Sequence, residues 1–334
     1  MKKWKKIFFA VFLVTTLIIG VFLLRNLYLK NLLSYNQKVF SSQIKVLPEE
    51  KNFLEDQLKK KEDIEIIFLG DLMFDRYIRE VAAKKGDDYI FENLKNFLAG
   101  FDLAVANLEG PITENNSKSI YTKIGEKGHL VFTFPKNLAP TLASHNINLV
   151  NIGNNHILNF GSKGLEETKK YLGENKIFYF GDIGGRNEYL IKNMENVKLA
   201  FINYNQFEKG SGERALESIR QAKTEADLII IYTHWGTEYK PEPEESIKKL
   251  AREFVDAGGD LVIGTHPHVT QPWEDYMGKR IYYSLGNFIF DQYFSSESKK
   301  GLAIKVKINQ ENKKMEFEDI FLSLETSGQT KINR

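Results

Sequence analysis

The chain has 334 residues, of which 42% are hydrophobic and 27% are charged, and its formal net charge is +2. This composition is typical of a globular protein with one large domain or two small ones, and the balanced charge gives no indication of nucleic acid as a partner. Because the chain contains no cysteine, structural disulfides, thiolate catalysis and cysteine-ligated zinc are excluded.

The first 30 residues predict a membrane anchor. Four lysines within the first six residues precede an uncharged apolar run from Ile7 to Leu24, which as a helix would span roughly 27 Å, close to the hydrocarbon thickness of a bilayer. The positive-inside rule then predicts a single-pass protein of the cell membrane, with a cytoplasmic N-terminus and an extracellular main domain. A cleaved signal peptide is the alternative, but the run is longer than a usual h-region and no small-x-small site follows it.

Residues 31–63 are polar and predict a stalk, whereas residues 64–334 predict one α/β domain. In the second segment, short apolar runs typical of strands alternate with amphipathic helical segments. The predicted strands are Ile64–Leu69, Leu103–Ala106, Asn148–Ile152, Lys176–Phe180, Leu199–Asn203, Leu228–Tyr232, Leu261–Ile263, Arg280–Ser284, Gly301–Asn309 and Met315–Leu322. The predicted helices include Asn137–His145, Ser162–Leu172, Arg214–Lys223 and Glu244–Ala257.

Five of the predicted strands run directly into a residue that could bind a metal ion or transfer a proton. Taken alone, an aspartate after a strand is commonly a turn former or helix cap, and a lone histidine there is commonly structural. However, ligands of open α/β sheets bind beyond the carboxyl ends of strands, and four of the six histidines lie there. We expect the other two, His129 and His145, to be ordinary surface or packing residues. The strand-end residues are Asp71, Asn107, Glu109, Asn154, Asn155, His156, His234, His266 and His268.

The segment His266-Pro267-His268 is the most informative of these strand ends. Proline biases the preceding residue toward extended backbone, and in extended backbone residues i and i+2 point to the same side. We therefore expect the two imidazoles to converge on one metal ion just past a strand.

Carboxylate, amide and imidazole groups without thiolate suit Mn, Fe(II) or Zn. The set is large enough for two divalent ions, and paired ions ~3.5–4 Å apart can clamp the attacking and leaving oxygens of a hydrolysis.

Six sequence blocks occur in a characteristic order between roughly Glu65 and Asp291. They are Gly70-Asp-Leu-Met-Phe-Asp-Arg76, Asn107-Leu-Glu-Gly-Pro-Ile-Thr113, Asn154-Asn-His-Ile-Leu-Asn-Phe-Gly161, His234-Trp-Gly-Thr-Glu-Tyr239, Gly264-Thr-His-Pro-His268 and Ser284-Leu-Gly-Asn-Phe288. Together they resemble the CapA family, the poly-γ-glutamate capsule biosynthesis proteins, whose fold is similar to that of calcineurin-like metallophosphoesterases. The resemblance implies a layered α/β sandwich, a surface location, an anionic polymer such as poly-γ-glutamate as partner, and membrane synthase subunits as possible neighbours.

The resemblance also implies a role for each strand-end residue. Asp71 would bind one ion, Glu109 would bridge both ions, and Asn155 would bind the second. The remaining assignments are His234, His266 and His268 as further metal ligands, His156 and His234 as catalytic residues with His156 the general acid, and Arg76, Asn107 and Asn154 as contacts to substrate. Glu238 could either support these ligands or be merely exposed.

Two residues depart from the family patterns. Met73 stands where metallophosphoesterases carry a metal-binding histidine, and Asn159 stands where an aspartate usually follows the Asn-His pair. These departures keep two hypotheses open: a metal-dependent hydrolase that cleaves a phosphoester, or an amide or ester of a surface polymer, with metal-activated water; and a non-catalytic polymer-binding or synthase-complex accessory protein with a structural or vestigial metal site. A metal-free domain on a stalk would require all six blocks to be accidental.

Overall fold

The structure is a computed structural model and describes residues 63–182 and 189–333. The predicted anchor and nearly all of the predicted stalk lie outside the described residues. Within the described part of the chain, none of the helices combines the length and the apolar character needed to cross a bilayer.

The described elements alternate between strands and helices as an α/β fold requires. The strands are β1 (Asp63–Leu72), β2 (Leu103–Leu108), β3 (Ile147–Asn151), β4 (Phe178–Phe180), β5 (Tyr189–Met194), β6 (Val197–Asn205), β7 (Leu228–His234), β8 (Leu261–Thr265), β9 (Trp273–Tyr276), β10 (Lys279–Tyr282), β11 (Asn287–Ile289), β12 (Lys300–Asn309), β13 (Met315–Leu324) and β14 (Thr330–Ile332). The helices are α1 (Arg76–Lys85), α2 (Asp88–Phe91), α3 (Lys95–Leu98), α4 (Leu138–Ser144), α5 (Gly161–Glu174), α6 (Ser211–Ala222) and α7 (Glu245–Ala257).

These strands form two sheets. The first has the order β14-β13-β12-β1-β2-β3-β4, with β11 also paired to β1, and the second has the order β5-β6-β7-β8-β10-β9. Strands β1 to β4 are parallel, as are β6, β7, β8 and β10. The carboxyl ends of the central strands in each sheet therefore lie at one edge, where α/β proteins bind ligands.

Strand alternation explains how the two sheets are layered with the helices. In β1, Ile66 and Phe68 face a core shared with the second sheet, whereas Ile67 and Leu69 face the core beneath α1 and α5, because successive side chains point to opposite faces. A third core lies between the second sheet and the two helices α6 and α7. The predicted layered α/β architecture is confirmed.

All ten predicted strands and the four predicted helices coincide with observed elements. The missed strands include β5 and β9, which lie at the two edges of the second sheet and whose side chains are mostly half-buried. Edge strands of this kind show little apolar alternation, because neither face is fully covered.

The pairing register brings the predicted site residues side by side. In the first sheet Asp71 lies opposite Asn107, and Asn107 lies opposite Asn151. In the second sheet His234 lies opposite Thr265, the last residue before His266. Within each sheet, the parallel strand order thus brings together functional side chains from distant parts of the chain.

Candidate metal centre

Three groups of side chains meet at the carboxyl ends of the two sheets. In each group the potential ligand atoms all lie within 4.8 Å of one another. The groups are Asp71, Glu109 and His268; Glu109, His234 and His266; and Glu238, His266 and His268. Because Glu109 belongs to the first two groups, its carboxylate lies where a ligand shared by two ions would be expected.

Glu109 carries the clearest indication that a cation belongs here. The residue is fully buried, and among the described residues neither carboxylate oxygen has a hydrogen-bond partner. Burial raises the pKa of Glu109 well above its usual range. Buried polar groups are normally paired, and buried charges are normally compensated or bound to metal. The residues present therefore fit a divalent ion, and their nitrogen and oxygen donors match the predicted Mn, Fe or Zn.

Three of the four histidines at the site are held in the neutral form that metal binding requires. Burial lowers the pKa of His156 to about 4 and that of His266 to about 3. Burial also lowers the pKa of His234 well below its usual range, with a further contribution from His266. Neutral imidazole offers a lone pair on one ring nitrogen.

His268 differs because it lies between two carboxylates. Its Nε2 is 3.6 Å from Glu109 Oε1, and its Nδ1 is 3.3 Å from Asp71 Oδ2. Burial disfavours the charged ring, but the carboxylates of Glu109 and Asp71 outweigh it and raise the pKa of His268 to about 9. In the structure as described, this histidine supplies positive charge to a cluster of acidic groups.

The backbone around His266 and His268 differs from our expectation. His266 has φ of 96° and His268 has φ of 57°, so neither is extended, and the prediction of an extended His-Pro-His segment is wrong. The two rings nevertheless lie 5.8 Å apart, centroid to centroid. Positive φ is unfavourable for non-glycine residues and is typical of functional sites where the surroundings enforce it.

An amide network holds the metal-ligand candidates in place. Asn107 Nδ2 donates to Asp71 Oδ1 at 2.8 Å and lies 3.2 Å from His234 Nδ1. Asn107 Oδ1 accepts from Asn151 and Asn154 at 3.0 and 3.1 Å. Asn154 also donates to the Leu108 carbonyl at 2.9 Å. The structure thus favours a positioning role for Asn107 and Asn154 over the predicted contact to substrate.

His234 points its outer nitrogen at the centre. Its Nε2 lies 2.9 Å from Asn155 Oδ1 and 3.2 Å from His266 Nδ1. Its Nδ1 lies 3.2 Å from Thr265 Oγ1, a hydroxyl whose own hydrogen is donated to the Thr233 carbonyl at 2.7 Å. Thr265 can therefore accept from Nδ1–H, whereas the amide nitrogen of Asn107 can only donate to an unprotonated Nδ1. Metal binding through Nε2 would require the tautomer with hydrogen on Nδ1, the one that Thr265 supports.

His156, the predicted general acid, lies at the border of the same cluster. Its Nε2 is 3.8 Å from Glu109 Oε1, and its ring centroid is 4.4 Å from that of Phe132. Asn159 Nδ2 lies 3.1 Å from His156 Nδ1 and also donates to the Leu130 carbonyl at 2.9 Å. Since that carbonyl fixes the amide orientation, Nδ1 acts as acceptor and Nε2 carries the hydrogen.

A pocket of about 420 Å³ opens beside the centre. It is lined by Arg76, Ile124, Gly125, His129, Leu130, Glu238, Tyr239, Asp291, Gln292 and Phe294. Arg76 is buried and forms a two-point ion pair with Asp291, so its charge is already compensated. This pairing weakens the predicted role of Arg76 in holding an anionic group of the substrate.

The two remaining histidines have different surroundings. His129 Nε2 lies 3.0 Å from a guanidinium nitrogen of Arg76, and His129 lines the pocket beside the centre. His145 packs against Phe91 with ring centroids 4.5 Å apart and contacts Asp88, away from the centre.

Sequence reasoning missed several residues of the site because their contacts are not local. Asp291 lies far along the chain from Arg76, and Asn287 Oδ1 lies 3.0 Å from His268 Nδ1. Asn287 stands inside one of the six sequence blocks, which was the available signal for it. No sequence signal pointed to Asp291.

Residues 65–292 match the family model described as bacterial capsule synthesis protein PGA_cap. The chain belongs to this family. The capsule biosynthesis protein CapA of Bacillus anthracis is a relative that is 30% identical over 70% of this chain and 61% of that protein. The PGA biosynthesis protein CapA of Bacillus subtilis (strain 168) is 31% identical over 67% of this chain and 63% of that protein. The chain thus matches about three fifths of the length of these capsule synthesis relatives.

A solved structure from Staphylococcus aureus, in complex with alpha-ketoglutarate, is similar to 77% of this chain and 53% of its own, with a TM-score of 0.48 and 12% sequence identity. A likeness at this level supports no inference about the function of this capsule synthesis family member.

Proposed function

We propose that this chain is a metal-dependent hydrolase of capsule or poly-γ-glutamate biosynthesis, anchored in the cell membrane by residues 7–24. The substrate is a phosphoester, or an amide or ester of an anionic surface polymer. The observation that carries the proposal is the meeting of three carboxylates and three histidines in overlapping groups. One of the carboxylates, Glu109, has buried oxygens without a hydrogen-bond partner among the described residues.

The residues that would hold the ions are Asp71, Glu109, Asn155, His234, His266 and His268. When bound, two divalent ions would supply Lewis acidity and an activated water.

His156 is the group proposed to move a proton. The contact with Asn159 keeps the hydrogen on Nε2, which faces the Glu109 side of the cluster. The neutral imidazole offers a hydrogen bond from Nε2 to a leaving group, and only a ring that has first taken up a second proton can transfer one, as a general acid does. The rings of Phe132 and His156 are in contact, which limits the orientations that the imidazole can adopt.

The direct test is a screen of phosphomonoesters, phosphodiesters and γ-glutamyl amides with the full chain, purified in detergent and supplied with Mn²⁺. We expect His156→Ala to lower kcat by about 10²–10⁴-fold on any substrate found while metal content is retained. His145→Ala, a histidine remote from the centre, serves as control. Activity of a folded, metal-containing His156→Ala variant equal to the wild type would contradict the proposal.

A second candidate function is a non-catalytic accessory protein that binds the polymer or a membrane synthase. The contact of an asparagine amide with His156 Nδ1 favours it, because an amide nitrogen cannot stabilise an imidazolium as a carboxylate does. This candidate predicts normal capsule in cells that carry His156→Ala and loss of capsule when residues 1–30 are removed.

A further inference from the structure

Glu238 is a third carboxylate at the centre, and the sequence left its role undecided. It is half-buried and lies on the loop that follows β7. One of its oxygens lies within 4.8 Å of ligand nitrogens on both His266 and His268. Its carboxylate also contributes to raising the pKa values of His268 and Glu109.

The loop that carries Glu238 is fixed on both sides. The Gly236 N–H donates to Gln206 Oε1 at 2.7 Å, and the Tyr239 N–H donates to the Pro267 carbonyl at 2.8 Å. Pro267 stands between the two histidines that Glu238 approaches, so the second bond ties the loop directly to them. Gly236 has φ of 84° and Tyr239 has φ of 62°, and a loop held in such a conformation is typical of functional sites.

The carboxylate of Glu238 lies near the ring nitrogens of His266 and His268 and the hydroxyl of Tyr239. Among the described residues it forms no salt bridge with lysine or arginine, whereas the other carboxylate of the pocket, Asp291, is paired with Arg76. Glu238 shares a hydrogen bond with the Tyr239 hydroxyl, which does not neutralise the carboxylate, so its charge is still free to bind a cation.

The group of Asp71, Glu109 and His268 is short of protein ligands. It supplies three, while divalent transition metals in proteins bind at least four groups, including water. Met73, two residues after Asp71, adds nothing: its side chain lies in the core beneath α1, and its sulfur accepts the Asp75 N–H at 3.0 Å. Glu238 is linked to this group through His268, which is also a member of the group of Glu238, His266 and His268.

We propose that Glu238 is a metal ligand of this centre and binds a divalent transition-metal ion together with His266 and His268. The inference rests on the metal centre of the proposed function and does not require hydrolysis.

The test is metal binding rather than turnover. The full chain, purified in detergent and stripped with EDTA, is titrated with Mn²⁺ and in parallel with Zn²⁺ by calorimetry, and the bound metal is counted after gel filtration. Glu238→Gln is compared with Glu242→Gln, which changes an exposed carboxylate on the same loop. We expect Glu238→Gln to lose one equivalent of metal or to bind at least about tenfold more weakly, and Glu242→Gln to match the wild type.

Three outcomes would overturn the inference: no metal binding by the wild type, wild-type stoichiometry and affinity in Glu238→Gln, or an equal loss in Glu242→Gln. Melting in EDTA checks that each variant is folded. If Glu238→Gln does not fold, Glu238→Asp replaces it, and its shorter carboxylate should weaken but not abolish binding. A weaker affinity in Glu238→Gln supports the inference even if no hydrolysed substrate is found.

Discussion

Glu109 is a residue whose environment opposes its own charge. Its carboxylate is fully buried; the charged imidazole of His268 lies 3.6 Å away, and the ring of His156, which burial keeps neutral, lies 3.8 Å away. The free-energy cost of burying a carboxylate is several kcal/mol unless the charge is well paired. A bound cation would compensate the buried charge of Glu109, so the stability of the protein and its metal binding should be linked at this residue.

We expect Glu109→Gln to remove the stabilisation of the protein by Mn²⁺. A ligand at a hundred times its Kd stabilises the folded state by about 2.7 kcal/mol, which raises Tm by several degrees for a domain of this size. Thermal melting with Mn²⁺ and with EDTA measures the difference for the wild type and the variant. A Tm of Glu109→Gln that still rises with Mn²⁺ as in the wild type would show that Glu109 is not a ligand.

Arg76 shows how a buried partner changes the interpretation of a charged residue. The side chains of Arg76 and Asp291 are only 8% and 9% exposed. The guanidinium carbon also lies 5.0 Å from the ring centroid of Phe132 and 5.4 Å from that of Phe290. A planar cation enclosed in this way is a structural clamp between the start of α1 and the segment after β11.

We expect Asp291→Ala to lower the free energy of unfolding by about 3–5 kcal/mol, because the variant leaves a buried guanidinium unpaired. Asp275→Ala is the matched control. It breaks the ion pair of Arg280 with a carboxylate that is 54% exposed, and it should cost less than about 1 kcal/mol. Urea denaturation in EDTA gives both values. If both variants lost less than about 1 kcal/mol of unfolding free energy, the structural role of the ion pair would be contradicted and Arg76 would again be a candidate for contact with substrate.

At the scale of elements, the centre depends on how closely β1 approaches its neighbour β11. The Asp71 N–H donates to the Gly286 carbonyl at 3.1 Å. A Cβ atom at Gly70 would lie 1.9 Å from that same oxygen, which is impossible without moving the backbone. Glycine at position 70 therefore allows the strand pairing that directs Asp71 toward the metal ligands.

Gly70→Ala should separate β1 from β11 and weaken both folding and metal binding. Overpacking of this kind costs at least about 1–3 kcal/mol. Gly173→Ala provides the comparison, since a Cβ there meets no atom within 4 Å and an alanine in α5 should stabilise by up to about 1 kcal/mol. Chemical denaturation and Mn²⁺ titration of both variants measure the effects. Unchanged metal affinity in Gly70→Ala would mean that Asp71 is positioned by other contacts.

At the scale of the whole molecule, the centre is assembled from both sheets. Asp71 and Glu109 come from the first sheet, while His234 and His266 come from the second. The sheets also share a buried apolar core, across which the Tyr232 hydroxyl donates to the Leu69 carbonyl. Metal binding at this junction should therefore stabilise both sheets together.

The proposed anchor is tested on the whole chain in cells. Removal of residues 1–30 should move the protein from the membrane fraction to the soluble fraction, because the apolar run from Ile7 to Leu24 is the segment long enough to span a bilayer. A variant that lacks residues 31–62 but keeps the run should stay in the membrane fraction. Protease added to intact cells should degrade the main domain, and protection of that domain would contradict the extracellular orientation.

The central strands and the polar residues that follow them could be located from the amino-acid sequence. Both are local properties: apolar periodicity specifies strand and helix, and the parallel order of α/β units brings the ends of successive strands to one edge. For this reason the residues at the strand ends, of which Asp71 is the first and His268 the last, could be assigned to one site before any contact was known. The six sequence blocks supported the family resemblance through their order along the chain, but they gave no distances between side chains.

Contacts between residues remote in the chain could not be located in this way, because they depend on how the loops pack. The pairing of Arg76 with Asp291, the position of His129 beside that pair, and the approach of Glu238 to His266 and His268 leave no periodic trace in the sequence. The positive φ of His266 runs against the preference of a residue before proline, and His268 also has a positive φ that is unfavourable for a residue with a side chain. Such features are imposed by packing of the surrounding loops, since the free energy of the whole fold can outweigh the preference of a single residue.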